Sequence, residues 1–231
     1  MKRRFVIPDI HGCCRTFRTL VSEVIRLERT DELYLLGDLI DRGPDSKGVL
    51  DFILELQDRG FSIKGVKGNH EDMCLRADED LEFMELWFVN GGLATLRSFE
   101  VESAGEIPRR YRDLLRSLPN YILLDDFVIV HAALNFDISD PFADTEAMLW
   151  MRECSVDPSR IGGRRLVSGH TPVTREQLTA SLASDRILID NGCVFTGRSG
   201  LGSLTALDLN SMRVWYQDNI DFSPTARGGR S

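Results

Sequence analysis

Four histidines occur in the 231-residue chain, at positions 11, 70, 131 and 170, and each follows an apolar run. Their surroundings read "PDIHG", "KGNHED", "VIVHAAL" and "VSGHTP". One such histidine is ordinarily a surface or hydrogen-bonded core side chain. Four of them beside strand-like runs form a pattern, because scattered histidines would also fall on helices and remote loops. Asp9 stands two residues before His11, Asp38 closes "LLGD", and Asn69 precedes His70. Imidazole nitrogens mixed with carboxylate and amide oxygens, and no thiolate in these segments, suit manganese, iron or zinc. They do not suit calcium or a cysteine-type structural zinc. Asp9, His11, Asp38, Asn69, His131 and His170 are too many for one ion. Two divalent ions are therefore expected, sharing Asp38 at the ~3.5–4 Å separation of hydrolytic metal pairs.

Side chains so far apart in sequence need a scaffold that brings strand ends together. "RFVIPDI" reads as a strand on which Asp9 and His11 project to the same side, and residues 14–29 follow with helical spacing. "ELYLLGD" is a second strand, with "SKGVLDFILELQDRG" as its helix, closed by Gly60. "FSIKGVKGNHED" is a third strand, with Asn69 and His70 at its end, leading into a helical region. This βαβαβ order predicts a largely parallel sheet with polar residues gathered at the strands' C-terminal ends. Residues 71–118 read as a helical insertion, with helices in "LEFMELWFVNGG" and "RRYRDLLRSLP" whose aromatic residues serve packing. Strands resume in "YILLDDFVIVHAAL", "RRLVSGHTP", "RILIDNG", "SLTALDL" and "RVWYQ". Residues 1–222 are expected to form a single catalytic domain, and 223–231 a disordered tail. The helical insertion and the loop at 134–146 are expected to shape the entrance to the site.

Composition narrows the partners. Thirty-six acidic against 28 basic residues give a net charge of -8, which disfavours a nucleic-acid binder, since phosphate backbones are held by clustered Lys and Arg. Five cysteines, at 13, 14, 74, 154 and 193, have no metal-knuckle spacing and leave one unpaired, so a reducing cytoplasm is the expected setting. Adjacent Cys13 and Cys14 are assigned to packing at a helix start. No segment approaches the ~20 apolar residues needed to span a bilayer, so no membrane association is expected.

The five segments "DIHG", "GDLIDRGP", "GNHE", "HA" and "SGHTP", in that order, resemble the metallophosphoesterase fold. The closest resemblance is to the phosphoprotein phosphatase family in its short bacterial and phage form. It runs from "PDIHG" to "IDNGCVF" and implies a calcineurin-like α/β architecture, a sandwich of mixed sheets flanked by helices. It implies Asp9, His11 and Asp38 on one metal, with Asp38 bridging to a second held by Asn69, His131 and His170. His70 is then free of metal. The resemblance also implies that Asp41 pairs with His70, keeping the imidazole oriented and protonated. Water held between two cations is deprotonated near neutral pH and attacks phosphorus, while the departing alkoxide takes a proton from His70 on the opposite side. Arg42 is read as a clamp on the phosphoryl oxygens through its planar donor fork. Arg152, in "LWMRECS", is a second phosphate ligand on a softer match. Asp190 and Asn191 are expected to line the site.

Two positions depart from the family pattern. Pro8 stands where Gly is usual, and Lys67 where Arg is usual, which puts an auxiliary phosphate contact at 67 in doubt. The implied activity is hydrolysis of phosphate monoesters, as a manganese-dependent protein serine/threonine phosphatase acting on phosphoproteins or small phosphate esters. The alternatives are a symmetrical diadenosine tetraphosphate hydrolase and, in another class, a catalytically silent metal-binding regulatory module.

Overall fold

The computed structural model describes residues 2–222; the tail expected at 223–231 lies outside them. Two sheets face one another. The first has five strands: β1 (Arg4–Ile7), β2 (Glu32–Leu35), β3 (Ser62–Gly65), β8 (Ser203–Asp208) and β9 (Arg213–Asp218), in the order β3-β2-β1-β8-β9. β1, β2 and β3 are parallel, whereas β8 and β9 run antiparallel and close the edge. The second sheet joins the hairpin β4 (Tyr121–Leu123) and β5 (Phe127–Val130) to β6 (Arg165–Ser168) and β7 (Arg186–Leu188), in chain order. β5, β6 and β7 are mutually parallel. The fold is therefore the expected α/β sandwich of mixed sheets.

Strand alternation divides the core. Val6, Tyr34, Leu36 and Leu207 point inward and meet Phe127, Ile129, Val167 and Ile187 from the facing sheet. Phe5, Ile7, Leu33 and Leu35 point to the other face, which α1 (Cys14–Thr19) and α2 (Ser46–Asp58) cover through Phe17, Leu50 and Ile53. On the outer face of the second sheet, Val128 and Val130 pack under Met148 of α7 (Thr145–Trp150). Truncating a fully buried residue such as Leu50 to Ala would cost about 2–5 kcal/mol. α2 begins where the Asp45 carboxylate accepts from the Gly48 N–H at 2.8 Å, a side-chain N-cap.

Three sequence expectations shift. The helix read over 14–29 is α-helical only to Thr19 and continues as a π turn over Leu20–Val24, with the Ile25 N–H donating to Leu20 O. β1 stops at Ile7, because Pro8 cannot donate to a ladder. Asp9 and His11 thus lie on a loop, and strand alternation does not account for their proximity. Asn69 and His70 are the first two residues of α3 (Asn69–Arg76), not the end of β3. The helical insertion consists of α3, α4 (Leu81–Val89), α5 (Gly92–Phe99) and α6 (Arg109–Ser117), of which α5 was not distinguished in the sequence.

Candidate metal and phosphate site

All six parallel strands end at one crevice, and the segment after each carries a polar residue into it. Asp9 and His11 follow β1, Asp38 follows β2, and Asn69 and His70 follow β3. His131, His170 and Asp190 follow β5, β6 and β7. These side chains are buried, and the crevice opens into a cavity of about 420 Å³.

Tight turns bring them there. His11, Asp38, Asp41, Arg42 and His170 all have positive φ, between 47° and 72°. This left-handed backbone costs a non-glycine residue roughly 1–2 kcal/mol. Two glycines permit the close approach: a Cβ on Gly43 would lie 2.0 Å from His11 O, and one on Gly68 would lie 2.2 Å from Asp38 Oδ1. Glu71 ties the loops together, its carboxylate accepting from the N–H groups of Asp38, Leu39 and Gly68, each at 2.8 Å.

Donor and acceptor counts define the chemistry. His11 Nδ1 faces Ile40 O at 3.1 Å and His131 Nδ1 faces Leu36 O at 2.7 Å. A carbonyl only accepts, so each ring carries its proton on Nδ1 and turns the Nε2 lone pair inward. His131 Nε2 then lies 2.9 Å from Asn69 Oδ1, 3.1 Å from His170 Nδ1 and 3.5 Å from Asp38 Oδ1. Across Asp38, His11 Nε2 lies 3.6 Å from Asp38 Oδ2 and 3.9 Å from Asp9 Oδ2. So many converging acceptors need a cation between them, and the donor set fits divalent transition metals. Among the described residues, the groups able to hold an ion are His11, Asp38 and His70 on one side and Asp38, His131 and His170 on the other. His70 enters the first group because its Nε2, buried and without a hydrogen-bond partner, is 3.8 Å from Asp38 Oδ2.

Electrostatics agree with this reading. Burial, then the neighbouring Asp190, raises Asp9 well above the carboxylate range. Burial, then Asp9 and Glu71, does the same to Asp38. Asp190 is raised to about 6, chiefly by burial. Burial also lowers His11, His70 and His131 well below their usual value and His170 to about 4, with nearby cationic groups adding to it. A cation would offset the carboxylates' mutual repulsion and prefers neutral imidazoles as ligands.

Asp41 pairs with His70 as expected, Oδ2 to Nδ1 at 2.7 Å. Two further donors hold its carboxylate: Thr95 Oγ1 to Oδ1 at 2.6 Å and Trp87 Nε1 to Oδ2 at 2.8 Å. Burial raises Asp41 to about 7 against these donors. The same burial works against a cationic His70. Trp87 and Thr95 went unrecognised in the sequence, where "LEFMELWFV" reads as packing. The available signal was that a buried indole N–H must find an acceptor.

Arg42 Nη1 donates to His11 Nε2 at 2.7 Å, at the front of the cavity, and Arg152 lies along its wall. Asp190 also lines it, while Asn191 is buried behind and bonds to Gly200 O. The expected entrance differs. Residues 71–118 contribute Asn90 to the lining and residues 134–146 contribute nothing, whereas Gly192, Phe195, Arg198 and Leu201 contribute to it. All five cysteines are free thiols, and no described helix is long and apolar enough to cross a membrane.

A family model described as calcineurin-like phosphoesterase matches residues 2–196. The chain is 30% identical over 210 residues to serine/threonine-protein phosphatase 1 of Salmonella typhimurium, covering 87% of this chain and 91% of that one. It is 28% identical over 226 residues to an asymmetrical bis(5'-nucleosyl)-tetraphosphatase of Geobacillus thermodenitrificans, covering 87% and 88%. Its fold matches that of a protein serine/threonine phosphatase from Saccharomyces cerevisiae, with a TM-score of 0.66 at 14% identity over 96% of this chain and 82% of the other.

Proposed function

Since the chain belongs to the calcineurin-like phosphoesterases, we propose that it hydrolyses phosphate monoesters with two divalent ions, and that phosphoserine and phosphothreonine in proteins are its substrates. The observation that carries this reading is the position of Asp38, whose two carboxylate oxygens face His131 at 3.5 Å and His11 at 3.6 Å. Asp9, His11 and Asp38 would hold one ion and Asp38, Asn69, His131 and His170 the other. Manganese is the first candidate, with iron or zinc as alternatives. When bound, such ions supply Lewis acidity at the phosphoryl oxygens and activate water near neutral pH.

The chain's own residues do the rest. Arg42 and Arg152 grip the phosphoryl oxygens, a task for which the guanidinium fork is suited. Arg42 leaves His11 Nε2 to do so. His70, oriented through Nδ1 by Asp41, delivers a proton from Nε2 to the departing alkoxide. Nε2 takes that proton from solvent as the substrate's negative charge arrives, which offsets the burial that otherwise keeps the ring neutral. Trp87 and Thr95 keep Asp41 in place.

A second reading, hydrolysis of dinucleoside tetraphosphates, is favoured by the flat side chains of Trp150 and Phe195 in the cavity lining. Hydrolysis of p-nitrophenyl phosphate, a phosphoserine peptide and diadenosine tetraphosphate in added manganese, with metal content measured in parallel, tests both. We expect two ions per chain and turnover of all three. Saturation at one ion, or no turnover, would sink the two-metal hydrolase.

A further inference from the structure

Most arginines near acids on this surface are engaged. Arg4 bonds Asp126 at 2.7 Å, Arg110 bonds Asp51 at 3.0 Å, and Arg175 bonds Asp218 at 2.7 Å. Three arginines line the cavity, and among the described residues none is in an ion pair: Arg42, Arg152 and Arg198. The first two suffice to grip one phosphoryl group. Arg198 is left without a role.

Arg198 is exposed but not adrift. Its guanidinium carbon lies 4.6 Å over the centroid of the Phe195 ring, a cation–π contact that anchors the head group without pairing it to an acid. The loop beneath it is a series of turns: Phe195 N donates to Gly192 O at 2.8 Å, Arg198 N to Phe195 O at 3.2 Å and Leu201 N to Arg198 O at 3.1 Å. The buried Asn191 pins the loop through Nδ2 to Gly200 O at 2.8 Å. A donor fork held in this way loses less conformational freedom on binding an anion.

We propose that Arg198 is a specificity-determining residue that holds a second phosphate bonded to the one being transferred, so that the cavity prefers a phosphate chain to a lone phosphate ester. Resting on the hydrolase reading above, this deepens its second form. Arg198 lines the same cavity as Asp9 and His170, so an anion on it shares that cavity with the first. Linked phosphates meet that condition directly. In an extended peptide the next side chain turns to the opposite face, and the one after it lies about two residues' rise, roughly 7 Å, away. Trp150, in the same lining, then supplies aromatic surface for a flat ring beyond the phosphates.

The test compares ADP with AMP in equilibrium dialysis at excess manganese, for the wild type, R198A and R198K. Wild type should favour ADP, R198A should cut that preference on the order of tenfold, and R198K should fall between, keeping charge without the fork. In kinetics, the ratio of kcat/KM on diadenosine tetraphosphate to that on p-nitrophenyl phosphate should fall ~10–100-fold in R198A, mainly through KM. No preference for ADP in the wild type, or equal losses on both substrates, would overturn the subsite. A loss confined to a phosphoserine peptide with an acidic neighbour would also overturn it, giving Arg198 to a peptide carboxylate. Failure to hydrolyse p-nitrophenyl phosphate with the ADP preference intact would remove the hydrolase reading and uphold the subsite.

Discussion

Asp41, next in sequence to the cavity-lining Arg42, is fully buried, with both carboxylate oxygens held by Thr95, Trp87 and His70. Arg152 lines the cavity itself, exposed, with no hydrogen-bond partner for its guanidinium among the described residues. The buried carboxylate is fixed before any substrate arrives, and the exposed arginine is free to adapt. A proton donor must meet the leaving oxygen within a few tenths of an ångström, so its orientation is built into the core. Charge recognition tolerates more movement and can be left to long side chains in water. On this view, changes around the carboxylate should damage kcat and stability together, and changes at the arginine should damage KM alone.

The largest expected effect is at His70. H70N should lose ~10²–10⁴-fold in kcat on a phosphoserine peptide, the usual size of a general-acid contribution. The loss on p-nitrophenyl phosphate should be distinctly smaller, because nitrophenolate departs without a proton. Metal analysis should find both ions retained. Loss of one ion would instead make His70 a ligand, which its 3.8 Å distance from Asp38 Oδ2 permits. W87F comes next. Removing the indole donor should slow turnover by ~10–100-fold, as for other groups that orient an active side chain. It should also destabilise the fold by about 1–3 kcal/mol in urea titration. R152A should raise KM by about tenfold while urea titration moves by less than ~0.5 kcal/mol. A large stability loss in R152A, or none in W87F, would dissolve the contrast.

The smallest effect calibrates it. Asp31 is nearly as buried as Asp41, yet its pKa moves the other way. Burial alone would raise it, but the Arg3 guanidinium, bonded at 3.1 and 2.6 Å, and the N–H groups of Glu28 and Arg3 more than offset that. A lowered folded-state pKa gives stability that is full above the ordinary carboxylate value and lost as pH falls through the folded value. D31N should therefore cost about 1–2 kcal/mol at pH 7, and that difference should close as the pH falls below ~4. A pH-independent difference would mean that Asp31 acts through shape alone.

The segments that converge on the crevice were readable because each follows an apolar strand and carries an unusual residue set; "GDLIDRGP" and "GNHED" could be placed at strand exits without coordinates. What was misread is local. Pro8, which cannot donate to a ladder, was the overlooked sign that β1 ends early, whereas nothing in the sequence marks that "GNH" turns directly into α3. The His11 and Asp38 turns were equally hidden, because left-handed backbone at non-glycine residues is imposed by tertiary contacts such as the Glu71 carboxylate. Trp87, Thr95 and Arg198 were missed for a different reason. Trp87 and Thr95 reach a partner 46 and 54 residues away and Arg198 reaches a cavity wall, and no short spacing encodes that.

The meeting of the buried Asp9, Asp38 and Asp190 at one cavity also bears on how the protein survives heating and dilution. Carboxylates that repel one another across left-handed turns weaken the folded state, while the unfolded chain separates them. An ion that binds between them binds the folded chain alone. Its concentration then enters the unfolding equilibrium by mass action, adding about 2.7 kcal/mol at a hundredfold excess over its Kd. The melting temperature should thus report the free metal concentration of the surrounding solution, and a chelator should act as a mild denaturant.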